Sequence, residues 1–295
     1  MPQYILKNCD TFYISFDEPN CDANWNRLLS LQPTAKRIHG VRGFDRVYKL
    51  CAMTSQTPRL VTVDGDNWVN DGTLDMEIDD TGIEDATFSF TSRNVINNLQ
   101  YGNGGVKVWN RETLISSNTH ENSNSVDFHW DIRYNQNHFI ASSTVQNCSP
   151  LQAWRAGYRE GYKMSLMDGK PLNNFAQEWK SLIGHNISRL SIWTTVGRDC
   201  VNGIWAIVGA RQALHDVITK TVKHTFINNY ADLLQYFRKI QRKDPELQAQ
   251  QLGKFLNSSG FPIYELDVEM SAWMRMVYIN PIRTELPRPS AGNHV

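Results

Sequence analysis

Residues 60–67 read Leu-Val-Thr-Val-Asp-Gly-Asp-Asn, an apolar, β-branched run of buried-strand character that stops abruptly on two acids one residue apart. Side chains alternate along an extended strand, so Asp64 and Asp66 are expected to project the same way from its carboxyl end, with Gly65 letting the backbone turn between them. Two hard carboxylates so placed suit Mg2+ or Mn2+, and an ion held there with open coordination positions can grip a diphosphate. An EF-hand loop starting at Asp64 would need an oxygen ligand at Trp68 and a glycine at Val69, and it has neither. A solvated acidic turn is the competing reading. Against it, residues 60–92 hold nine acids and no Lys or Arg, a negative excess from which a cation can draw affinity.

The segments before this strand set its surroundings. Thr11–Phe16 has the β-branched and aromatic content of a strand and is followed by a turn at Asp17-Glu18-Pro19-Asn20. Asp22 or Asn24 can cap a helix carrying Trp25, Leu28 and Leu29. Lys36–Val41 reads as extended, and Gly43 opens a helix with Phe44, Val47, Tyr48 and Cys51 at helical spacing. Strand, helix, strand, helix, strand is the grammar of a parallel sheet, whose ligands sit at the carboxyl ends of the strands.

Composition narrows the function classes. Lys+Arg and Asp+Glu both total 30 in 295 residues, so no global charge draws the chain to nucleic acid or to an acidic membrane. Locally the balance reverses: residues 147–224 carry ten basic and five acidic side chains with three histidines, so an anionic substrate can lie between this region and the acid pair. Five irregularly spaced cysteines form no Cys-x-x-Cys pair, which fits reduced thiols rather than a disulfide framework or zinc ribbon. The amino terminus lacks the apolar core of a signal peptide and no run reaches membrane-span length, so a soluble, cytoplasmic protein is expected.

Further along, Ala86–Thr91 reads as a strand, and Tyr101–Trp109 places Gly102, Gly104 and Gly105 within four positions. A dinucleotide fingerprint fails because its last glycine would fall on Lys107. A loop lying against a sugar ring, with Lys107 near phosphates, and a plain hairpin turn both remain open. Ser116–Ser125 has the composition of a mobile loop. In Val126–Asp131 an extended strand would put Asp127, His129 and Asp131 on one face, able to supply a general base or position a hydroxyl, or merely to meet water. His120 and His138 read as surface loop residues.

Ser149-Pro150 starts a helix on which Arg155, Arg159 and Lys163 stack at four-residue spacing, a ladder able to receive phosphate oxygens or to face solvent, with Glu160 a further acid candidate. Arg189–Thr194 reads as a strand and Asn202–Ala210 as a central buried one, leading into a helix that carries His215, with His224 on it or just beyond; either can complete a metal shell. From Tyr230 onward the pattern is helical, with a basic run at Arg238–Lys243, a second helix from Pro245 to Leu256 and an irregular tail from Pro281. The expected division is residues 1–225 as the ligand-binding and catalytic α/β domain that carries the acid pair and 226–295 as a helical appendage with its tail.

Val41-Arg42-Gly43-Phe44, the strand ending Asp64-Gly65-Asp66-Asn67, Ser92-Arg93-Asn94 with the following glycine loop, and Trp154–Glu160 together resemble phage-encoded glycosyltransferases of the GT-A fold, over roughly residues 10–215. The resemblance implies a GT-A-like α/β fold, a mainly parallel, mixed sheet flanked by helices with the carboxyl-terminal helical appendage. It implies a metal-dependent glycosyltransferase using Mn2+ or Mg2+ and a nucleotide-sugar donor, a UDP-sugar foremost. Asp64 and Asp66 would hold metal and nucleotide, Gly104 and Gly105 would line the sugar, Arg42, Lys107 and Arg155 would join the cofactor contacts, and Asp127 or Asp131 would face the acceptor. The acceptor implied is hydroxymethylcytosine in double-stranded DNA, receiving a hexose or pentose such as glucose or arabinose, with no membrane and no obligate protein partner. A protein or polysaccharide acceptor, a nucleotidyltransferase using the same acid pair, and a non-catalytic carbohydrate- or DNA-binding protein stay open beside it.

Overall fold

The computed structural model describes residues 3–102, 104–122 and 132–277. After a short strand β1 (Gln3–Ile5), β2 (Asp10–Ser15) is followed by α1 (Cys21–Leu31), β3 (Lys36–His39), α2 (Phe44–Thr54) and β4 (Arg59–Asp64). β2 pairs in parallel with both neighbours, Ile14 lying opposite Ile38 on one side and Asp64 on the other. The first crossover moves outward from β2 to β3 and the second back past β2 to β4. Right-handed connections running in opposite directions place their helices on opposite faces. Accordingly Phe12 and Leu60 pack with Val47, Tyr48 and Cys51 of α2, while Tyr13, Val61 and Val63 pack with Leu28 of α1. Such a switch in direction opens a crevice at the carboxyl ends of the strands.

β5 (Asn67–Val69), β6 (Glu77–Asp79), β7 (Thr87–Asn94), β8 (Gln100–Tyr101), β9 (Val106–Asn110), α3 (Arg111–Ser116) and β10 (Tyr134–Thr144) complete this half. The main sheet runs β3-β2-β4-β9-β7-β10-β5, with β8 added on β7, and β6 pairs with β1 in a separate ribbon. β9 is antiparallel to β4 and β7, β10 is parallel to β7, and β5 is antiparallel to β10. Only Gly65 and Asp66 separate β4 from β5, yet β5 forms the far edge, so the sheet must curl back toward β4. The architecture is therefore α/β with a mixed, curled sheet flanked by helices, consistent with a GT-A-like fold.

The helical layer comprises α4 (Pro150–Met164), the ribbon β11 (Leu166–Met167) and β12 (Lys170–Pro171), α5 (Phe175–Glu178), α6 (Gly184–Trp193), α7 (Gly203–Thr219), α8 (Tyr230–Ile240), α9 (Pro245–Ser258) and α10 (Val268–Val277). Two expectations are corrected here: Arg189–Thr194 lies in and just after α6, and Asn202–Ala210 is the start of α7, so neither is a strand. The first half of α7 is apolar on every side because it is enclosed, and such a segment shows no period that separates it from a buried strand. Trp205, Ala206, Ile207, Val208 and Ala210 are all buried. Gly157 and Gly161 of α4 lie against the carbonyls of Ala206 and Ala210, and Gly209 of α7 against that of Trp154, so a Cβ at these positions would drive the backbones apart. α8 and α9 share this core through Leu233, Phe237, Ala249 and Leu256. Among the described residues no helix is long and apolar enough to cross a membrane.

Candidate active site

A cleft of about 640 Å³ opens at the carboxyl ends of β2 and β4 and beneath α4. Arg42, Asp64, Asp66, Gly104, Gly105, Lys107 and Arg155 all line it. Asp127, His129 and Asp131 lie outside the described residues.

Asp64 ends β4, and its Oδ1 accepts from the Tyr48 hydroxyl at 3.0 Å while Lys107 Nζ stands 3.6 Å from Oδ2. Lys107 is only 3% exposed. It also donates to Tyr48 Oη at 2.9 Å and to the Gly104 carbonyl. Its charge therefore lies beside Asp64, and its side chain lines the cleft. Asp66 is held by amides: Asn67 Nδ2 donates to Oδ1 and Gln146 Nε2 to Oδ2, each at 2.6 Å. Burial pushes the Asp66 carboxyl up to about 6, and the charge of Asp64 adds to the rise.

The two glycines nearest the acids act by absence of bulk. Gly65 does not adopt a left-handed conformation. A Cβ there would sit 2.7 Å from Glu18 Oε2 and 3.0 Å from the Ile14 carbonyl, so glycine lets a third carboxylate approach the turn. Gly105 similarly admits the Asn67 side chain, whose Oδ1 accepts from Ser142 Oγ at 2.8 Å and Thr144 Oγ1 at 3.1 Å. Gly104 does need its freedom, at φ +80°.

α4 and the start of α8 also line the cleft. Ser149 caps α4 by accepting from the Gln152 amide, with Pro150 in the first turn. Arg155, Arg159 and Lys163 then all face the cleft. The Arg155 guanidinium lies 4.3 Å from the Tyr230 ring centre and 3.5 Å from Asp17 Oδ1. Arg159 donates to Tyr230 Oη at 2.9 Å. Phe44 and Tyr48 sandwich the His120 ring at 5.1 and 5.3 Å. The loop reading for His120 is thus corrected: it lines the cleft. The reason is an anchor that its polar sequence conceals: Glu121 accepts from the Phe44 and Asp45 amides at the start of α2, and Asp45 Oδ1 accepts from Thr119. His138 lies on β10 and is exposed. His215 pairs with Asp216 at 3.0 Å on α7 and is absent from the cleft lining.

The acidic surplus of residues 60–92 is mostly spent elsewhere. Asp71 pairs with Arg27 at 2.7 Å, Asp75 with Lys7 at 2.8 Å, Asp80 with Arg59 at 2.6 Å and Asp85 with Arg133 at 3.2 Å. Of that stretch only Asp64 and Asp66 line the cleft, beside Glu18, whose carboxyl is also raised, chiefly by burial. Among the described residues no group of three or more His, Cys, Asp or Glu side chains is placed to hold a metal ion. Two hard carboxylates are the donor type that Mg2+ or Mn2+ prefers, and an ion held by Asp64 and Asp66 would need its other ligands from water and phosphate.

An acid whose folded-state pKa lies above its unfolded value binds its proton more tightly when folded, so this term removes stability as pH rises. The metal-free protein is therefore expected to lose stability relative to Asp66→Asn as pH goes from about 4, the ordinary carboxyl value, to about 6. Thermal midpoints of both proteins across that window measure it; parallel curves would show that Asp66 ionises normally.

No protein-family model and no curated protein matches the chain. Among solved structures it is similar to the mannosyltransferase PcManGT from Pyrobaculum calidifontis in complex with GDP-Man and Mn2+, with 10% identity over 92% of this chain and 88% of that chain and a TM-score of 0.33. So loose a superposition leaves the geometry of the cleft as the ground for a functional reading.

Proposed function

We propose that the protein is a metal-dependent glycosyltransferase that moves a sugar from a nucleotide-sugar to an acceptor hydroxyl. The observation that carries this reading is a cleft at the carboxyl ends of parallel strands lined both by Asp64 and Asp66 and by Arg155, Arg159 and Lys163 of α4. Asp64 and Asp66 would hold Mn2+ or Mg2+, which when bound supplies positive charge against the departing diphosphate. Arg155 adds fixed charge from α4, stiffened by Tyr230 and therefore needing little reorganisation. Tyr48 and Lys107 keep the Asp64 carboxylate aimed; Gln146 and Asn67 do the same for Asp66. The donor class we favour is a UDP-sugar.

For the acceptor we favour hydroxymethylcytosine in duplex DNA. Supporting it, α8 has Tyr230 in the cleft at one end and exposed Arg238, Lys239, Arg242 and Lys243 at and beyond the other, a local charge that phosphates can use despite a net charge of +0. The test is a thermal-shift panel of UDP- and GDP-sugars with Mn2+. One donor is expected to raise the midpoint, with the rise lost on chelation. Stabilisation that ignores chelator would count against the mechanism. The same donor is then offered hydroxymethylated and unmodified DNA; equal incorporation into both, or none, would remove the acceptor assignment.

A further inference from the structure

Six carboxylates line the cleft among the described residues, and five have other duties. Asp64 and Asp66 form the acid pair. Glu121 caps α2 with both oxygens, Glu18 accepts from the Phe16 amide behind Gly65, and Asp17 pairs with Arg155. Glu160, on α4, is held differently. Its Oε2 accepts from the Tyr101 hydroxyl, which in turn accepts from the Trp193 indole N–H at 3.1 Å. The Tyr101 ring lies 4.5 Å from the Arg189 guanidinium. Tyr101 and Trp193 are 7% and 1% exposed and come from β8 and α6, so three elements converge on one carboxylate. A buried donor chain of this kind fixes orientation at the cost of desolvating its members. Among the described residues Oε1 accepts no hydrogen bond, and its ion-pair partner, Lys163 Nζ, stands 3.9 Å away.

On the glycosyltransferase reading, we propose that Glu160 is the general base of the transfer, with Tyr101 its positioning residue. As the acceptor oxygen bonds to the anomeric carbon, its proton passes to Glu160 Oε1, and the bond from that carbon to the diphosphate oxygen breaks with its electron pair leaving on the nucleoside diphosphate. Water in place of the acceptor follows the same course, so donor hydrolysis reports the step without knowledge of the acceptor.

The experiment compares wild type, Glu160→Gln and Tyr101→Phe with UDP-glucose and GDP-mannose in Mn2+, following thermal shift and release of nucleoside diphosphate. Glu160→Gln keeps an oxygen for Tyr101 to donate to, so its midpoint and donor-induced shift are expected to match wild type. Its release rate is expected to fall about 10²–10⁴-fold, the range for loss of a general base, with the donor KM unchanged. Tyr101→Phe is expected to fall less, again in kcat alone. Wild type showing no Mn2+-dependent donor uptake overturns the glycosyltransferase reading, and this inference with it. Wild type that takes up donor without releasing nucleoside diphosphate, or a Glu160→Gln rate within threefold of wild type, overturns the role of Glu160 alone.

Discussion

Asp66→Asn is expected to abolish Mn2+-dependent stabilisation by a nucleotide-sugar and to lower turnover by more than about 10²-fold, the scale lost when one preorganised charge-stabilising group is removed. The same substitution is expected to leave the metal-free protein as stable as wild type at pH 7.5, or more so. A carboxyl displaced from about 4 to about 6 has roughly 3 kcal/mol opposing its charge, and the neutral amide removes that opposition. The loss is one amide contact, since an asparagine in this place can accept from only one of Gln146 and Asn67, worth about 1 kcal/mol. Function lost with stability kept is the signature of a group retained for ligand rather than for fold. Calorimetric midpoints with and without Mn2+ and donor decide it; a variant that unfolds early without metal would make Asp66 structural.

The second large effect lies at the other end of β4. Arg59 is 1% exposed, with Nε and Nη2 donating to Asp80 Oδ2 at 2.9 and 2.6 Å, and its remaining bonds go to the carbonyls of Ala86 and Glu84. Asp80→Ala leaves that guanidinium buried without a counter-charge, a change expected to cost about 3–5 kcal/mol. Replacing both partners, Arg59→Met with Asp80→Ala, removes the charges together and should recover most of the loss. Urea unfolding curves measure both, and an unchanged slope would show that stability alone has moved. A single variant within 1 kcal/mol of wild type would mean that the carbonyls suffice. Because β4 carries Asp64 at its far end, the pair also anchors the strand that presents the site.

Local patterns made part of this legible. Apolar content followed by Asp-x-Asp identified β4, which ends on Asp64, and the turn that carries Asp66, and four-residue spacing identified Arg155, Arg159 and Lys163 as one helical face. Glu18 lay in a stretch read only as a turn, and nothing nearby in sequence hints that a glycine at 65 makes room for it. Gln146 and Tyr48 carried no signal, since an amide after a strand and a tyrosine at core spacing are ordinary. Glu160 was visible as an acid beside an arginine, but its donor chain joins residues 101, 160 and 193, which only folding unites. The strand readings at Arg189–Thr194 and Asn202–Ala210 failed where periodicity is uninformative, in segments enclosed by neighbouring helices.

Taken alone, the sequence determined where chain direction and side-chain period are set by near neighbours: the apolar run that ends β4 on Asp64 with Asp66 just beyond it, the helical ladder on α4, the turn that joins strand to helix. The tertiary structure decided which charges survive at the cleft. Asp75 is neutralised by Lys7 and Asp80 by Arg59, partners 68 and 21 residues away, whereas Asp66 is bonded to neutral amides and lies in the field of Asp64. Electrostatic balance depends on distances of a few ångströms in a low-dielectric interior, and the curl of a sheet fixes those distances between residues that no local pattern relates.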